Sequence, residues 1–426
     1  DVKWMEEFNV KPIEIMNKDG TLNEKAGRFK GLYVKKARKA VIEALKEENR
    51  IEKIEPIKHV VNVHERCETD IEILTTDQWF IKYLDLKGDF IKYGRTIKWY
   101  PEHMRARYEN WIQGLKWDWN ISRQRHFGVP IPVWYCKKCS EITTADESQL
   151  PVDPLVDKPK NKCKCGSNDF EPEKDVLDTW ATSSLTPDIA AELFKKNKIY
   201  KKLLPMDLRP QAHDIITFWL LNTVVKSHFH HNNVPWKEAM ISGWALDPHG
   251  KKMSKSKGNV VNPDDIVGQY GADTLRMYEM FLGPLADMKP WNTRNIIGIK
   301  RFLDRVWSFA NAWQKNGEAQ ESSVERVQHE TIKKVTEDIE AMRLNTAISK
   351  LMEYTNALSL EGVRVTKENI DTLIKLLAPF APYMTEEVWR QLGHKESVHN
   401  EQWPQYDEKK IQKTTIRLIV QVNGRV

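Results

Sequence analysis

The sequence predicts an α/β core of the open-sheet kind followed by an all-α bundle. Three observations carry this. Short apolar runs end in polar side chains at 176–184, 208–214 and 240–243, and in an open α/β sheet ligands bind at such strand ends. From Ile296 onward, apolar residues recur at helical spacing. Within the first region, Cys136 and Cys139, then Cys163 and Cys165, frame a polar loop. Two such pairs have the spacing of a zinc knuckle.

Length and composition set the bounds. A chain of 426 residues has room for two or three domains. Hydrophobic content of 40% and charged content of 30% describe a globular chain and exclude a disordered one. No apolar run reaches the ~20 residues that span a bilayer, so no membrane partner is expected. A net charge of +6 permits a polyanionic partner without requiring one. Four clustered cysteines read as metal ligands before a disulfide framework, and the expected location is cytoplasmic. The opening Asp1-Val2-Lys3-Trp4 is no signal peptide and has no initiator methionine. The chain is therefore read as a fragment beginning inside a domain.

Along the chain, 12–16 has a short strand pattern and 17–20 is turn chemistry. Val34, Ala37, Ala40, Val41, Ala44 and Leu45 have helical spacing, and 59–63 reads as a strand. Nothing in this segment reads as catalytic by itself. An amphipathic helix is expected at 102–115. The string Trp119-Asn120-Ile121-Ser122-Arg123-Gln124 follows, with Arg123 and Gln124 either surface polar residues or parts of a cleft. A metal held by Cys136, Cys139, Cys163 and Cys165 would be structural, because four thiolates leave no open position. Four reduced thiols without metal is the alternative. Cys67, alone, reads as a packed or exposed thiol. Asp178, Thr179 and Trp180 close an apolar strand ahead of a row of hydroxyls, where they line either a ligand pocket or ordinary core.

Gln211, His213 and Asp214 stand where a strand end runs into a helix, and free amides there favour ligand oxygens. Helix capping by Asp214 is the alternative. His228, His230 and His231 lack a carboxylate or cysteine at ligand spacing and read as a surface helix end. The short strand 240–243 feeds the richest loop of the chain. There Lys251, Lys252, Lys255 and Lys257 alternate with Met253, Ser254 and Ser256 between Gly250 and Gly258. Lysine gives mobile positive charge, serine gives hydroxyl donors, and glycine lets backbone amides approach an anion. The loop suits a polyphosphate, although composition alone favours a solvated basic turn. Asp265 and Asp273 are expected nearby, paired with its lysines. Further on, 302–310, 333–359, 367–377 and 385–389 predict a bundle of four or five helices. Residues 415–424 read as a strand and hairpin turn.

Lys252-Met253-Ser254-Lys255-Ser256 matches letter for letter the KMSKS loop of class I aminoacyl-tRNA synthetases. Over nearly its whole length the chain resembles the valyl, leucyl and isoleucyl subgroup of that family. The resemblance implies a Rossmann-type catalytic core, its C-terminal half, at 67–290, with the zinc knuckle at 134–170 and the KMSKS loop at 252–256. It implies the end of an inserted editing domain at 1–66, an anticodon-binding bundle at 291–414 and the start of a β element at 415–426. Asp1 falls where the family has an aspartate that anchors the amino group of a mischarged amino acid. ATP with Mg2+ is implied as cofactor, held by Gln211, His213, Asp214, Lys252, Met253, Ser254, Lys255 and Ser256. Lys252 and Lys255 are the implied catalytic residues, Asp178, Thr179 and Trp180 the amino-acid pocket, and zinc a structural partner of the cysteines.

The wording of the pocket is closest to valyl members, chiefly of archaeal type. The bundle, with Arg343-Leu344-Asn345 and Leu392-Gly393-His394, is closer to leucyl members. The family's Trp-x-Ile-Ser-Arg-Gln string usually has cysteine where Asn120 stands. The implied activity is ATP-dependent activation of valine and its transfer to tRNA, with post-transfer editing in the intact enzyme. A leucine or isoleucine enzyme, or a non-catalytic tRNA-binding relative, are the alternatives. The family's His-x-Gly-His string does not occur here, so the fragment alone is expected to be inactive.

Overall fold

Three short parallel strands form the centre of the larger of two units into which the chain divides, Ile81–Val426; the smaller is Asp1–Phe80. The computed structural model describes residues 2–64, 67–316 and 319–412. Asp1 and the expected β element at 415–426 lie outside the described residues, as does the side chain of Ser256.

In the larger unit, Trp236–Ser242 runs between Lys98–Tyr100 and Met206–Ala212. Ala239 lies opposite Trp99 on one side and Arg209 on the other. Parallel neighbours need a crossover, and the helix Leu221–His231 supplies it between Met206–Ala212 and Trp236–Ser242. Its buried face, Leu221, Val224 and Val225, packs in one cluster with Trp236, Ala239 and Ile241 of the central strand. Helices Lys87–Thr96 and Met104–Gly114 extend that cluster through Phe90, Tyr108 and Ile112. They approach closely at Gly94, where a Cβ would meet Tyr108 Cε1 at 2.4 Å. Because the strands are parallel, Tyr100, Ala212 and Ser242 end on one edge of the sheet.

The helical half holds five helices among the described residues: Ile296–Asn316, Glu325–Glu340, Leu344–Leu358, Lys367–Leu377 and Pro382–Gln391, besides the short Glu408–Ile411. Each carries an apolar stripe, and the stripes meet in a core of Phe302, Val306, Ile348, Leu351, Ile370, Leu373, Ile374 and Trp389. This core continues without a break into Met277 and Tyr278 of the helix Ala272–Phe281. Asp273 fixes the same junction. Its carboxylate accepts the backbone N–H of Tyr383 at 3.3 Å and of Met384 at 2.7 Å, at the start of Pro382–Gln391. Sequence reading paired Asp273 and Asp265 with the lysine loop. Asp273 instead satisfies two amides that a helix start leaves without partners, and Asp265 makes no ion pair among the described residues.

In the smaller unit the helix Val34–Glu47 forms as expected, with Ala37 and Ala44 buried. The expected strands at 12–16 and 59–63 reduce to single bridges, Met16 to Leu22 and Val63 to Asp70. The β-branched residues are there, but Val60 is 93% exposed. Strand propensity without a neighbouring strand makes no ladder. Among the described residues no helix is long and apolar enough to cross a membrane.

Candidate nucleotide site and metal centre

The lysine loop grows out of the end of the central strand. Gly243 donates its N–H to Leu285 O at 2.9 Å, and a Cβ there would meet Asp287 O at 2.2 Å. Only glycine lets the two backbones come so close. The strand Ala245–Leu246 then pairs with Lys289–Pro290. A turn at Gly250, with φ of +77°, reverses the chain, and Lys252 returns opposite Leu246. Ser254 leads into a single 3-10 turn, Lys255–Lys257, which Gly258 ends in the left-handed region.

The loop meets the end of Met206–Ala212. Lys252 Nζ stands 3.4 Å from Asp214 Oδ2 and 3.9 Å from the centre of the Trp244 ring. His213 packs its ring 4.7 Å from the same indole, and its Nδ1 is 3.3 Å from Ser242 O. Asp214 thus engages the loop, and no side chain caps the short turn His213–Ile215. Gln211 is buried, with its Oε1 lacking a protein partner. Met253 is half-buried against the bundle core. Lys255 is exposed, and its ammonium makes no ion pair among the described residues. Gln211, His213, Asp214 and Lys252 are brought together, with Lys255 on the adjoining turn.

Sequence reasoning missed Asp247 and Asn259, which hold this loop. Asp247 is 5% exposed, and both of its oxygens accept hydrogen bonds. The Asn259 amide foremost, then the backbone N–H of Lys251, holds its carboxyl below the usual aspartate range. An aspartate before Pro-His-Gly is a turn signal, but nothing in the string announces its partner.

Asp178, Thr179 and Trp180 follow the strand Val176–Leu177, which pairs with Ser122–Arg123. Asp178 is buried, and its Oδ1 lies 3.4 Å from Arg123 Nη2. The two strings singled out in sequence therefore meet. Thr179 is exposed, while Trp180 stacks on Phe218 with ring centres 6.0 Å apart and planes 18° apart. Phe218 belongs to a π-helical turn, Ile216–Leu220, just after Asp214. Such turns recur at functional sites, and this one links Trp180, through Phe218, to the segment of His213 and Asp214.

The four cysteines converge from two turns. Cys136 ends the strand Val133–Cys136; Cys163 and Cys165 lie in a turn closed by Gly166 at φ of +82°. Their sulfurs all lie within 4.8 Å of one another, with Cys136 to Cys165 at 3.6 Å and Cys139 to Cys163 at 3.5 Å. Tetrahedral zinc with Zn–S bonds of ~2.3 Å needs sulfurs about 3.8 Å apart. The set fits a structural metal, and Cys67, in the smaller unit, is not one of its members.

Comparison with known proteins agrees with this layout. Residues 4–290 match the family model of class I tRNA synthetases (I, L, M and V), and residues 323–426 match that of the anticodon-binding domain of tRNA ligases. A valine--tRNA ligase of Thermoplasma volcanium is 39% identical over 97% of this chain and 57% of that protein. One of Thermoplasma acidophilum is 40% identical over 96% of this chain and 56% of that protein. One of Methanopyrus kandleri is 39% identical over 96% and 48%. The chain thus spans about half the length of the curated relatives it matches. Among solved structures, the ternary complex of Agrobacterium radiobacter agnB2 LeuRS with tRNA and LeuAMS aligns with a TM-score of 0.58. It is 26% identical and covers 70% of this chain and 43% of that one. With a parallel sheet that gathers a lysine loop at one edge, a helical bundle behind it and a family match over residues 4–290, the chain belongs to the class I tRNA synthetases of the I, L, M and V group.

Proposed function

We propose that this chain carries the lysine-loop half of the adenylation site of a valine--tRNA ligase. The observation that supports it is the docking of loop 252–256 on the sheet edge through Lys252, Asp214 and Trp244. ATP, with Mg2+, is held by Gln211, His213, Asp214, Lys252, Met253, Ser254, Lys255 and Ser256. Lys252 already leans toward that edge, and the Lys255 ammonium makes no ion pair among the described residues. The carboxylate of valine attacks the α-phosphate, and pyrophosphate leaves. The loop adds no general base; it supplies positive charge where negative charge develops, which is how an electrostatic site lowers a barrier. The acyl group then passes to the ribose of the tRNA 3′ adenosine.

The amino-acid pocket in this reading is Asp178, Thr179 and Trp180, with Arg123 holding Asp178 in place. Cys136, Cys139, Cys163 and Cys165 hold one zinc, which crosslinks the knuckle and takes no part in the reaction. The proposed division is the end of an editing domain at 1–66, the catalytic domain at 67–290 and the anticodon-binding domain at 291–414, in a cytoplasmic enzyme. The valine--tRNA ligases among the relatives support valine. The leucyl enzyme among the solved structures supports leucine as the second reading. Amino-acid-dependent exchange of pyrophosphate into ATP by the full-length protein separates them. Valine must drive exchange better than leucine; the reverse order refutes the valine reading, and no exchange with any amino acid refutes the enzyme.

A further inference from the structure

We infer that Asp247 and Asn259 are positioning residues, whose hydrogen-bonded link holds the loop so that Lys252 and Lys255 face the phosphate site. The inference rests on the function proposed above. Asp247 Oδ1 accepts the backbone N–H of His249 at 2.9 Å and of Lys251 at 2.8 Å. Its Oδ2 accepts Nδ2 of Asn259 at 2.9 Å. Asn259 Oδ1 in turn accepts the N–H of Ser254 at 2.9 Å, and its Nδ2 also reaches Lys252 O at 3.2 Å. Two side chains therefore tie the start, the middle and the end of the loop into one ring.

Among the described residues the loop's backbone bonds are local: Asp247 N–H donates to Lys251 O at 2.8 Å and Gly250 N–H to Asp247 O at 2.9 Å, Leu246 bridges Lys252, and Lys255–Lys257 makes one helical turn. The lysine side chains cannot substitute, since their ammonium groups would have to give up the ligand to do so. An aspartate that only shaped the turn at His249 and Lys251 would leave Asn259 dispensable. Instead Asn259 offers a donor to Asp247 and Lys252 and an acceptor to Ser254, a combination that requires a carboxamide.

That chemistry allows an exchange test. Asn259→Asp sets two carboxylates against each other. Asp247→Asn sets an amide N–H against either Asn259 N–H or, if Asn259 turns, forces its NH2 onto the Ser254 N–H. Asp247→Asn with Asn259→Asp restores a donor at 247, an acceptor at 259 and the acceptor for Ser254, and gives up the Asn259 donor to Lys252 O. Limited trypsin digestion reads the loop directly, at Lys251, Lys252, Lys255 and Lys257, with the peptides resolved by mass. Cleavage follows the open population when reclosing is fast. Each single variant should raise cleavage about ten- to a hundred-fold, the scale of losing a hydrogen bond to a charged group. The exchanged pair should return most of the way.

In the full-length protein, the singles should lower kcat for pyrophosphate exchange more than they raise the KM for ATP, and the exchanged pair should regain kcat. The positioning role is overturned if the singles are cleaved within about two-fold of wild type. It is equally overturned if the exchanged pair is no better than the worse single, or if cleavage follows the pattern and kcat does not. Absence of exchange in the wild type defeats the proposed function instead, and the cleavage cycle still decides whether the link holds the loop.

Discussion

Removing the charge of Lys255 separates a catalytic lysine from a structural one, because the structure sets the two costs far apart. Lys255 is exposed and makes no ion pair among the described residues, so Lys255→Ala breaks no ion pair there. Its unfolding midpoint should match wild type. Lys252→Ala deletes the pair with Asp214, in which the side chains are 54% and 32% exposed. Such a pair contributes ~0.2–1 kcal/mol. The Trp244 ring at 3.9 Å adds about 0.5–1 kcal/mol. The sum is a shift of the melting temperature by a few degrees at most. The expected catalytic cost is larger: a donor aimed at developing charge contributes ~3–4 kcal/mol, or ~10²–10³ in rate.

Lys255→Ala in the full-length protein should therefore lose most of kcat in amino-acid-dependent pyrophosphate exchange, with a smaller change in the ATP KM. Lys255→Arg keeps the charge in a different shape and should lose part of it. Lys257→Ala, one step outside the matched string, should change little. Equal mildness of Lys255→Ala and Lys257→Ala would refute the reasoning and leave only a solvated basic turn. A large drop in melting temperature for Lys255→Ala would refute it differently, by exposing a structural role.

Elemental analysis of metal-replete protein should find about one zinc per chain, and Cys139→Ser should lower that content; a tenth of it or less in the wild type would leave four free thiols. Because thiolates bind the metal and thiols do not, acidification should release it with uptake of protons, read by a chromogenic chelator. Asp273→Ala should destabilise the protein by about 1–3 kcal/mol, since two amides of Pro382–Gln391 lose their acceptor; an unchanged denaturation midpoint would show the cap to be idle. Asp338 is buried, and burial raises its pKa, but hydrogen bonds from Lys334 and Arg343 outweigh that and hold it below its ordinary 3.8. A depressed pKa contributes stability that is fully present above the unfolded value and is lost as pH falls through the folded one. Unfolding followed downward in pH should thus show a loss below about 3.8 that Asp338→Asn lacks; the same acid profile in both would remove Asp338 as its source. In exchange assays valine and isoleucine should differ by about 10–200-fold, the reach of a pocket that senses one methylene.

What the sequence made legible is what lies close together in it. Cys136 with Cys139 and Cys163 with Cys165 are local pairs, and the lysine loop is one string. Helical spacing from Ile296 onward announced the bundle. Tertiary partners were not legible. Asp214 finds Lys252 from 38 residues away, and Asp273 finds Tyr383 from 110. Both carboxylates stood near several candidate donors in the string, and only the fold selects among them. Asp214 was open between capping and ligand binding; it stands inside the turn whose cap position is Ala212, and its carboxylate meets Lys252 instead. The failed strand at 59–63 is the converse case. Val60 and Val61 have the right propensity, but a ladder depends on a neighbour, which sequence pattern does not supply.

The way the loop is held explains why it can hold charge at all. Several lysines crowd one turn, and the cheapest way to fix such a turn is to pair them with carboxylates. That would neutralise the charges a polyphosphate needs. Asp247 stands at the start of the loop, yet it gives its oxygens to two backbone N–H groups and the Asn259 amide. Those neutral donors fix the backbone without drawing on any ammonium. Among the described residues Lys252 is the loop lysine that meets a carboxylate, at 3.4 Å and half exposed. A contact of ~1 kcal/mol or less yields readily to a ligand bearing several negative charges, because a lysine ammonium attracts a close phosphate oxygen more strongly than a solvated carboxylate at that distance. In the proposed reading the fold separates two tasks: amides and one buried aspartate give the loop its shape, and the lysines keep their charge for the phosphates of ATP.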